Sequence, residues 1–440
     1  MNCTKFFELA KSKGITSCQI MIGKGKATSL SLYHHEIDNF NLAEDVSIAA
    51  CGIYEGKFGS CVTERTGVSS FKYLVDGIIK AAKTSEKDDD IDIFPGSPKY
   101  RKKSFYNKGL SIIPIQEKID LIKEIEAKLE SSSDKVHEVD SVAYQEEESE
   151  TEFQNSFGLK LHRKMNFFAV FASVNGKDGE NTRSAYNLDF GNDLGKFDLE
   201  GFVKETKERL VSQFGAGPCE SGHYPTVLKQ TIFGSLVDYF LATLSAEEIQ
   251  KHSSKMEGQL GKRVASKKLN MKEDPYGKNI FYRYFDSEGV ATQTKKIIDH
   301  GVLKTYFYNR RTAKKDGVET TGNASWGGGK IGIGYSGVVV SGTKKSFEEM
   351  IAPIEKGVYI TSIQGLGTGM NIKSGDFSCQ AQGFMIESGK LGAPLTLITL
   401  SGNLYKMLQD IVDLDNDVRL LSSSTSVPQV YIKSMSIGGR

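Results

Sequence analysis

The sequence predicts an α+β protein of more than one domain, with mixed or antiparallel sheets, flanking helices and a large glycine-rich, β-rich C-terminal domain. Three observations carry this expectation. Glycine is in excess, 45 residues against 9 prolines, as many tight turns between strands require. Stretches with apolar residues at every second position alternate with stretches in which they stand three or four apart. Polar, Pro- and Gly-containing interruptions fall at 86–98 and 215–218, and 440 residues suffice for two or three cores. The expected domains are 1–100, an N-terminal α+β domain; 101–215, a middle α+β domain; and 216–440, the β-rich domain.

In the first, residues 4–13 (TKFFELAKSK) read as a short amphipathic helix, followed by strands at 18–22 and 28–34. Residues 45–64 read as two strands joined at Glu55-Gly56-Lys57, and 69–83 as a helix. The acidic run 86–92 and Pro95-Gly96-Ser97-Pro98 read as a linker. In the second, 114–131 has Ile119, Ile122, Ile125 and Leu129 at helical spacing. Strands follow at 136–148, 150–155 and 160–175, the last two joined by Asn155-Ser156-Phe157-Gly158, and a helix near 202–214 closes the domain. The acidic cluster Glu146, Glu147, Glu148, Glu150, Glu152 reads as a solvated strand edge in preference to a metal site. In the third, an apolar stripe (Leu228, Ile232, Phe233, Leu236, Val237, Phe240, Leu241, Leu244) predicts one buried helix over 226–251. Strand patterns follow at 281–284, 296–298, 303–308, 337–341, 357–363 and 383–387.

Lys and Arg number 56 and Asp and Glu 55, a net charge of +1, so no molecule-wide field draws nucleic acid or an anionic membrane. The basic clusters Arg310-Arg311 with Lys314-Lys315, and Arg101-Lys102-Lys103, lack the interleaved aromatics of a single-strand binder and read as solvated faces. The first ten residues hold no basic region before an apolar run, and no stretch is long and apolar enough to span a bilayer, which favours the cytoplasm and no membrane. Six cysteines (Cys3, Cys18, Cys51, Cys61, Cys219, Cys379) without a CxxC pair point to free, mostly buried thiols.

Common catalytic signatures fail residue by residue. No Gly-Lys pair is followed by Ser or Thr, which excludes a phosphate-cradling loop. Gly332-x-Gly334-x-x-Gly337 runs into Val338-Val339-Val340 and opens no helix, as a dinucleotide fingerprint must. Gly334-Tyr335-Ser336-Gly337 lacks the spacing of a nucleophile elbow and reads as a turn. Zinc hydrolysis needs imidazoles, carboxylates or thiolates converging on an open position. None of the seven histidines stands in HExxH or HExxxH spacing, and His137-Glu138 has no second histidine within six residues.

A series of motifs in the third region carries a resemblance. Ser245-Ala246-Glu247, Ser254, the run 258–266 (GQLGKRVAS), Glu273-Asp274-Pro275, Phe285-Asp286-Ser287-Glu288-Gly289-Val290, Gly301-Val302-Leu303, Arg311-Thr312-Ala313 and Thr321-Gly322-Asn323-Ala324 come in one order. They continue through Gly375-Asp376-Phe377-Ser378, Gly383-Phe384, Gly402-Asn403-Leu404 and Ile437-Gly438-Gly439. Together they resemble the C-terminal domain of the TldD/PmbA family. Gly56-Lys57-Phe58-Gly59-Ser60 resembles the family's N-terminal glycine turn, without the arginine expected near Ile53, and Asn155-Ser156-Phe157-Gly158 resembles its middle-domain hairpin.

TldD-like members of that family carry HExxxH on the helix before the glycine-rich stretch, and a cysteine near the C terminus. The matching positions here are Val237, Asp238 and Ala242, and 421–427 (LSSSTSV), with no cysteine after Cys379. The chain therefore resembles the zinc-free TldE (PmbA) kind. The resemblance implies a cytoplasmic complex with a zinc-bearing HExxxH subunit, acting on unfolded or flexible peptides such as leader segments and antitoxins. It implies no cofactor in this chain and zinc in the partner, and leaves open whether a homodimer forms in the partner's absence. Asp286, Glu288, Thr321 and Asn323 are candidates either to line a substrate cleft or to cap turns. Two other readings stay open: a nucleic-acid or DNA-gyrase-associated modulator, an older label of the family, and a stand-alone hydrolase using Asp238 or Cys379.

Overall fold

Residues 15–33 form one strand where the sequence suggested two. In the computed structural model, which describes residues 3–88, 90–277, 280–327 and 329–440, α1 (Thr4–Ser12) leads into β1 (Ile15–Tyr33), β2 (Glu36–Tyr54), β3 (Lys57–Thr63) and α2 (Val68–Thr84). Then come α3 (Ile115–Ser131), β4 (Val136–Asn155), β5 (Lys160–Asp178), β6 (Asn181–Gly191) and α4 (Leu199–Val211). The period-two signal lapses in β1 at Gly23-Lys24-Gly25-Lys26. Lys24 there meets Glu152 of β4 at 3.0 Å, so an ion pair stands where the rest of the strand buries Cys18, Ile20, Ile22, Leu30 and Leu32.

These strands make one antiparallel sheet in the order β3-β2-β1-β4-β5-β6, with β1 paired to β4 from Gln19↔Asn155 to Leu32↔Val142. The sheet therefore runs on across the expected boundary near residue 100. Its core sets Cys18, Ile20, Ile22, Ile48 and Ala50 against Phe6 and Ala10 of α1 and Phe71, Leu74 and Ile78 of α2. Each large apolar side chain buried there contributes about 1.5–3 kcal/mol. The residues read as a linker are strapped down: Ser97 Oγ accepts from Ala291 N at 2.9 Å, and Tyr100 donates to Gly289 O at 2.7 Å. Asp89 of the acidic run lies outside the described residues.

The acidic cluster on β4 is not a solvated edge, because β4 lies between β1 and β5. Three of its carboxylates meet lysines, Glu146 with Lys118 at 2.6 Å, Glu148 with Lys164 at 2.7 Å and Glu152 with Lys24, Glu150 meets the His162 ring at 2.8 Å, and Glu147 is exposed.

Further on come β7 (Gly222–Leu228), α5 (Gln230–Ala242), α6 (Ala246–Gln250), β8 (Met271–Glu273), β9 (Lys295–Asp299) and β10 (Val302–Leu303). The helix expected over 226–251 is thus a strand and two shorter helices. Val227 and Leu228 are fully buried in β7 between β14 and β20, and a short run buried on both faces has no periodicity to separate strand from helix. The helix breaks where Phe307 bonds its backbone to Leu244 and Ala246. Next are α7 (Arg310–Asp316), β11 (Ala324–Gly327), β12 (Lys330–Ile333), β13 (Val338–Val340), α8 (Phe347–Ile351), β14 (Lys356–Gln364), α9 (Leu366–Gly369), β15 (Asp376–Glu387) and β16 (Lys390–Asn403). The chain ends with α10 (Leu404–Gln409), β17 (Ile411–Leu414), β18 (Arg419–Leu420), β19 (Thr425–Val427) and β20 (Val430–Gly438).

Residues 281–284 are not a strand, and 303–308 keep strand form only at Val302–Leu303. In the former, the hydroxyls of Tyr282 and Tyr284 reach Arg101 O and His162 O, and Tyr284 O accepts from Thr292 N at 3.3 Å.

One sheet runs β10-β9-β8-β13-β19-β18; another runs β16-β15-β14-β7-β20-β17, and pairing of β16 with β20 closes it on itself with β17 left outside the closure. Gly383 of β15 marks the tightest approach: a Cβ there would lie 1.9 Å from Tyr359 O. The described chain forms two compact units that differ from the expected three domains. One comprises residues up to 211 with 278–292 and 309–332; the other comprises 212–277, 293–308 and 333–440. The fold is α+β throughout.

Candidate functional site

In the second unit, the positions that match the zinc motif lie on α5. Val237 is fully buried, Asp238 half-buried and Ala242 exposed, as residues five apart on a helix face different ways. Asp238 Oδ1 accepts two hydroxyls, from Thr425 Oγ1 at 2.7 Å and from Tyr335 at 3.1 Å. Thr425 opens β19, inside the stretch 421–427. Leu421 and Val427 from the same stretch pack on Gly234, where a Cβ would meet Leu421 Cδ1 at 2.1 Å and Val427 Cγ2 at 3.4 Å. The helix and the C-terminal stretch therefore meet, and what joins them is a carboxylate with two hydroxyls. Burial and the Asp238 carboxylate push the Tyr335 phenol well above its ordinary range, so it remains a donor.

Zinc does not fit this donor set. Valine and alanine have no ligating atom, and Thr425 supplies a neutral hydroxyl in place of a thiolate. Among the described residues no group of three His, Cys, Asp or Glu is placed to hold a metal ion. All seven histidines are exposed, and several pair with carboxylates: His34 with Glu138, His35 with Glu126 and Glu130, His252 with Glu257, His300 with Asp299. Nearby in the same unit, Glu273 accepts from Lys295 and from Ser336 N at 2.9 Å, which anchors the turn read at Gly334-Tyr335-Ser336-Gly337.

The other candidates lie in the first unit, where all four are buried: Asp286 1% exposed, Glu288 9%, Thr321 9% and Asn323 1%. Asp286 accepts from the backbone N–H groups of Glu288 and Val290 at 2.9 Å and of Ala324 at 3.0 Å. It thereby folds the 286–290 loop and ties it to β11. Glu288 Oε2 accepts from Arg310 N at 2.9 Å, at the start of α7, where a helix N-terminus favours an acceptor. Asn309 caps the same helix through Thr312 N at 2.9 Å. Thr321 donates to Asn323 Oδ1 at 2.7 Å.

Burial is the largest influence on both carboxyls and raises both; the charge of Asp286 raises Glu288 further, to about 8, while Arg283 and the three N–H groups hold Asp286 back. Glu288 therefore holds its proton near neutral pH. These residues therefore build and pin turns in this unit.

Cys379 is buried and burial pushes its thiol up, which leaves little of the reactive thiolate. The arginines of the basic cluster are also engaged: Arg310 pairs with Asp92 at 2.6 Å and lies over the Phe94 ring, and Arg311 pairs with Asp88 at 2.8 Å. Sequence reasoning missed Tyr335 and Thr425. The only signal was that Thr425 lies in the stretch that matched the family's cysteine.

Comparison with known proteins gives concordant findings. Residues 221–439 match the PmbA/TldA metallopeptidase C-terminal domain, and residues 108–214 match the PmbA/TldA metallopeptidase central domain. The chain is 24% identical over 420 residues to a metalloprotease PmbA homolog of Buchnera aphidicola, covering 93% of this chain and 91% of that one. A Thermotoga maritima protein solved as a candidate modulator of a DNA gyrase superposes with a TM-score of 0.91 at 28% identity, covering 99% and 98% of the two chains. TldE from Thermococcus kodakarensis superposes with a TM-score of 0.92 at 22% identity over 99% and 100%, a likeness of fold.

Proposed function

Since the chain belongs to the PmbA/TldD family, we propose that it is the zinc-free subunit of a cytoplasmic two-subunit metallopeptidase, working with an HExxxH-bearing partner on unfolded or flexible peptides. The observation that carries this reading is the donor set on α5: Val237 and Ala242 offer no ligand, and Asp238 is held by Thr425 and Tyr335. In that complex the partner supplies the zinc and its activated water, and this chain contributes walls and strand edges to which an extended peptide can bond. The name borne by the Thermotoga protein suggests a gyrase-associated role, but no observation favours it here, because Arg310 and Arg311 are spent on Asp92 and Asp88. A stand-alone hydrolase likewise lacks a competent nucleophile in Cys379.

The test is metal analysis and peptidase assay on an unfolded peptide, with the chain alone and mixed with an HExxxH-bearing family member from the same cell. The expected result is a metal-free, inert chain alone and a mixture that co-purifies and cleaves. Stoichiometric zinc or cleavage in the chain alone overturns the reading.

A further inference from the structure

Every residue from Tyr33 to Asp45 is exposed. The reason is topological: β2 pairs with β1 along its length, but β3 joins its other side only from Ile48 onward. After a register shift at Asp38, pairing with β1 is regular from Asn39 to Ser47. Among the described residues no strand occupies the outer side of that stretch. It is an open row of backbone donors and acceptors, the kind of edge natural proteins blunt with Lys, Pro or a covering element. Here the stretch NFNLAEDVS holds no Lys, Arg or Pro, and its large apolar side chains face water, Phe40 at 53% and Leu42 at 66% exposure, with Ile37 just before it at 45%.

Charge decides what can add to this edge. Glu36 and Asp45 lie on the face opposite Phe40 and Leu42, Asp38 sits at the register shift, and Glu44, on the Phe40 face, is paired with Lys26 of β1 at 2.7 Å; no Lys or Arg occurs between Lys26 and Lys57. A second copy joined edge to edge would bring the same four carboxylates to the seam, and like charges across a strand pair are destabilising. An extended segment with Lys or Arg alternating with apolar side chains has the opposite character on both counts: its apolar side chains share a face with Phe40 and Leu42, and its cations, on the other face, meet Glu36 and Asp45.

We propose that the Asn39–Ser47 edge of β2 captures an extended, basic peptide by strand addition. This specifies the peptide class for the subunit proposed above and rests on that reading for a peptide as the occupant. Backbone hydrogen bonds supply affinity independent of sequence, and the acidic border selects charge.

The experiment uses the full chain alone and labelled eight-residue peptides of alternating lysine and valine, or glutamate and valine, followed by fluorescence anisotropy. The lysine peptide is expected to bind at least about tenfold more tightly than the glutamate peptide, with the advantage shrinking as salt rises. The exposed double variant Glu36→Lys/Asp45→Lys is expected to lose about tenfold for the lysine peptide. N-methylation of alternate peptide amides tests the strand geometry. In one register it removes N–H groups that face the edge and binding falls; in the other it removes outward-facing ones and binding persists. Equal binding of the two peptides, or equal effects of the two methylation registers, overturns the proposal. The assay needs no partner and no cleavage, so its failure is separable from failure of the two-subunit reading.

Discussion

Burial of Glu288 and the charge of Asp286 together raise its carboxyl to about 8, against an ordinary glutamate value of 4.5. A carboxyl raised on folding keeps its proton in the folded state while the unfolded chain loses it. Stability therefore falls as pH rises between those two values, with the full penalty above the folded one and none below the unfolded one. Glu288→Gln keeps an acceptor for Arg310 N and removes the titration. Thermal melts from pH ~4 to ~9 are expected to show no gain at the acid end and a gain of about 1–2 kcal/mol at the alkaline end; a pH-independent difference would contradict this. Asp286, Glu288, Thr321 and Asn323 stand out in the sequence as parts of motifs, but their partners do not. The N–H of Ala324 reaches Asp286 across 38 residues, and no local pattern encodes that meeting.

At the scale of elements, α3 and β4 are joined by a nearly dry ion pair. Lys118 Nζ lies 2.6 Å from Glu146 Oε2, with side-chain exposures of 6% and 11%, and Tyr144 donates to the same carboxylate at 2.7 Å. Removing one partner strands the other charge. Lys118→Met is expected to cost about 3–5 kcal/mol in urea unfolding, and Lys118→Met with Glu146→Leu to recover most of it; additive losses would show that the pair is not what holds these elements. The helices over 4–12, 68–84 and 115–131 were legible from spacing because each is amphipathic, with one apolar face and one polar face, while the helix expected near 202–214 stands three residues earlier, at 199–211. The length of β1 and the central position of β4 were not. In both, lysine or glutamate stands where a lone strand would need an apolar residue, and only the cross-strand partner makes that tolerable.

At the scale of the whole molecule, the chain leaves the first unit at 211 and returns to it twice. The returning stretch 280–292 packs Phe285 on Phe153, with ring centroids 6.2 Å apart, and Ser287 O accepts from Gln19 at 3.1 Å. A fragment ending at residue 211 keeps the whole six-stranded sheet yet uncovers Phe153, which is 0% exposed in the intact chain. Such a fragment is expected to bind a hydrophobic dye and to melt well below the full chain. Unchanged stability with no dye binding would mean that the returning stretches contribute little.

The sequence by itself determined the α+β class, the amphipathic helices, the want of zinc-ligating residue types at 237 and 242, and a family likeness carried by motifs in a fixed order. These are properties of residue type and local spacing, which survive without knowledge of contacts. Only the tertiary structure decided that Asp238 is held by Thr425 from 187 residues away, that an acidic run forms the middle of a sheet, that the cleft candidates are buried in turns, and that β2 leaves one edge open. Each depends on which distant segment arrives as neighbour. Pairing partners and burial belong to the whole chain, and no window of sequence contains them.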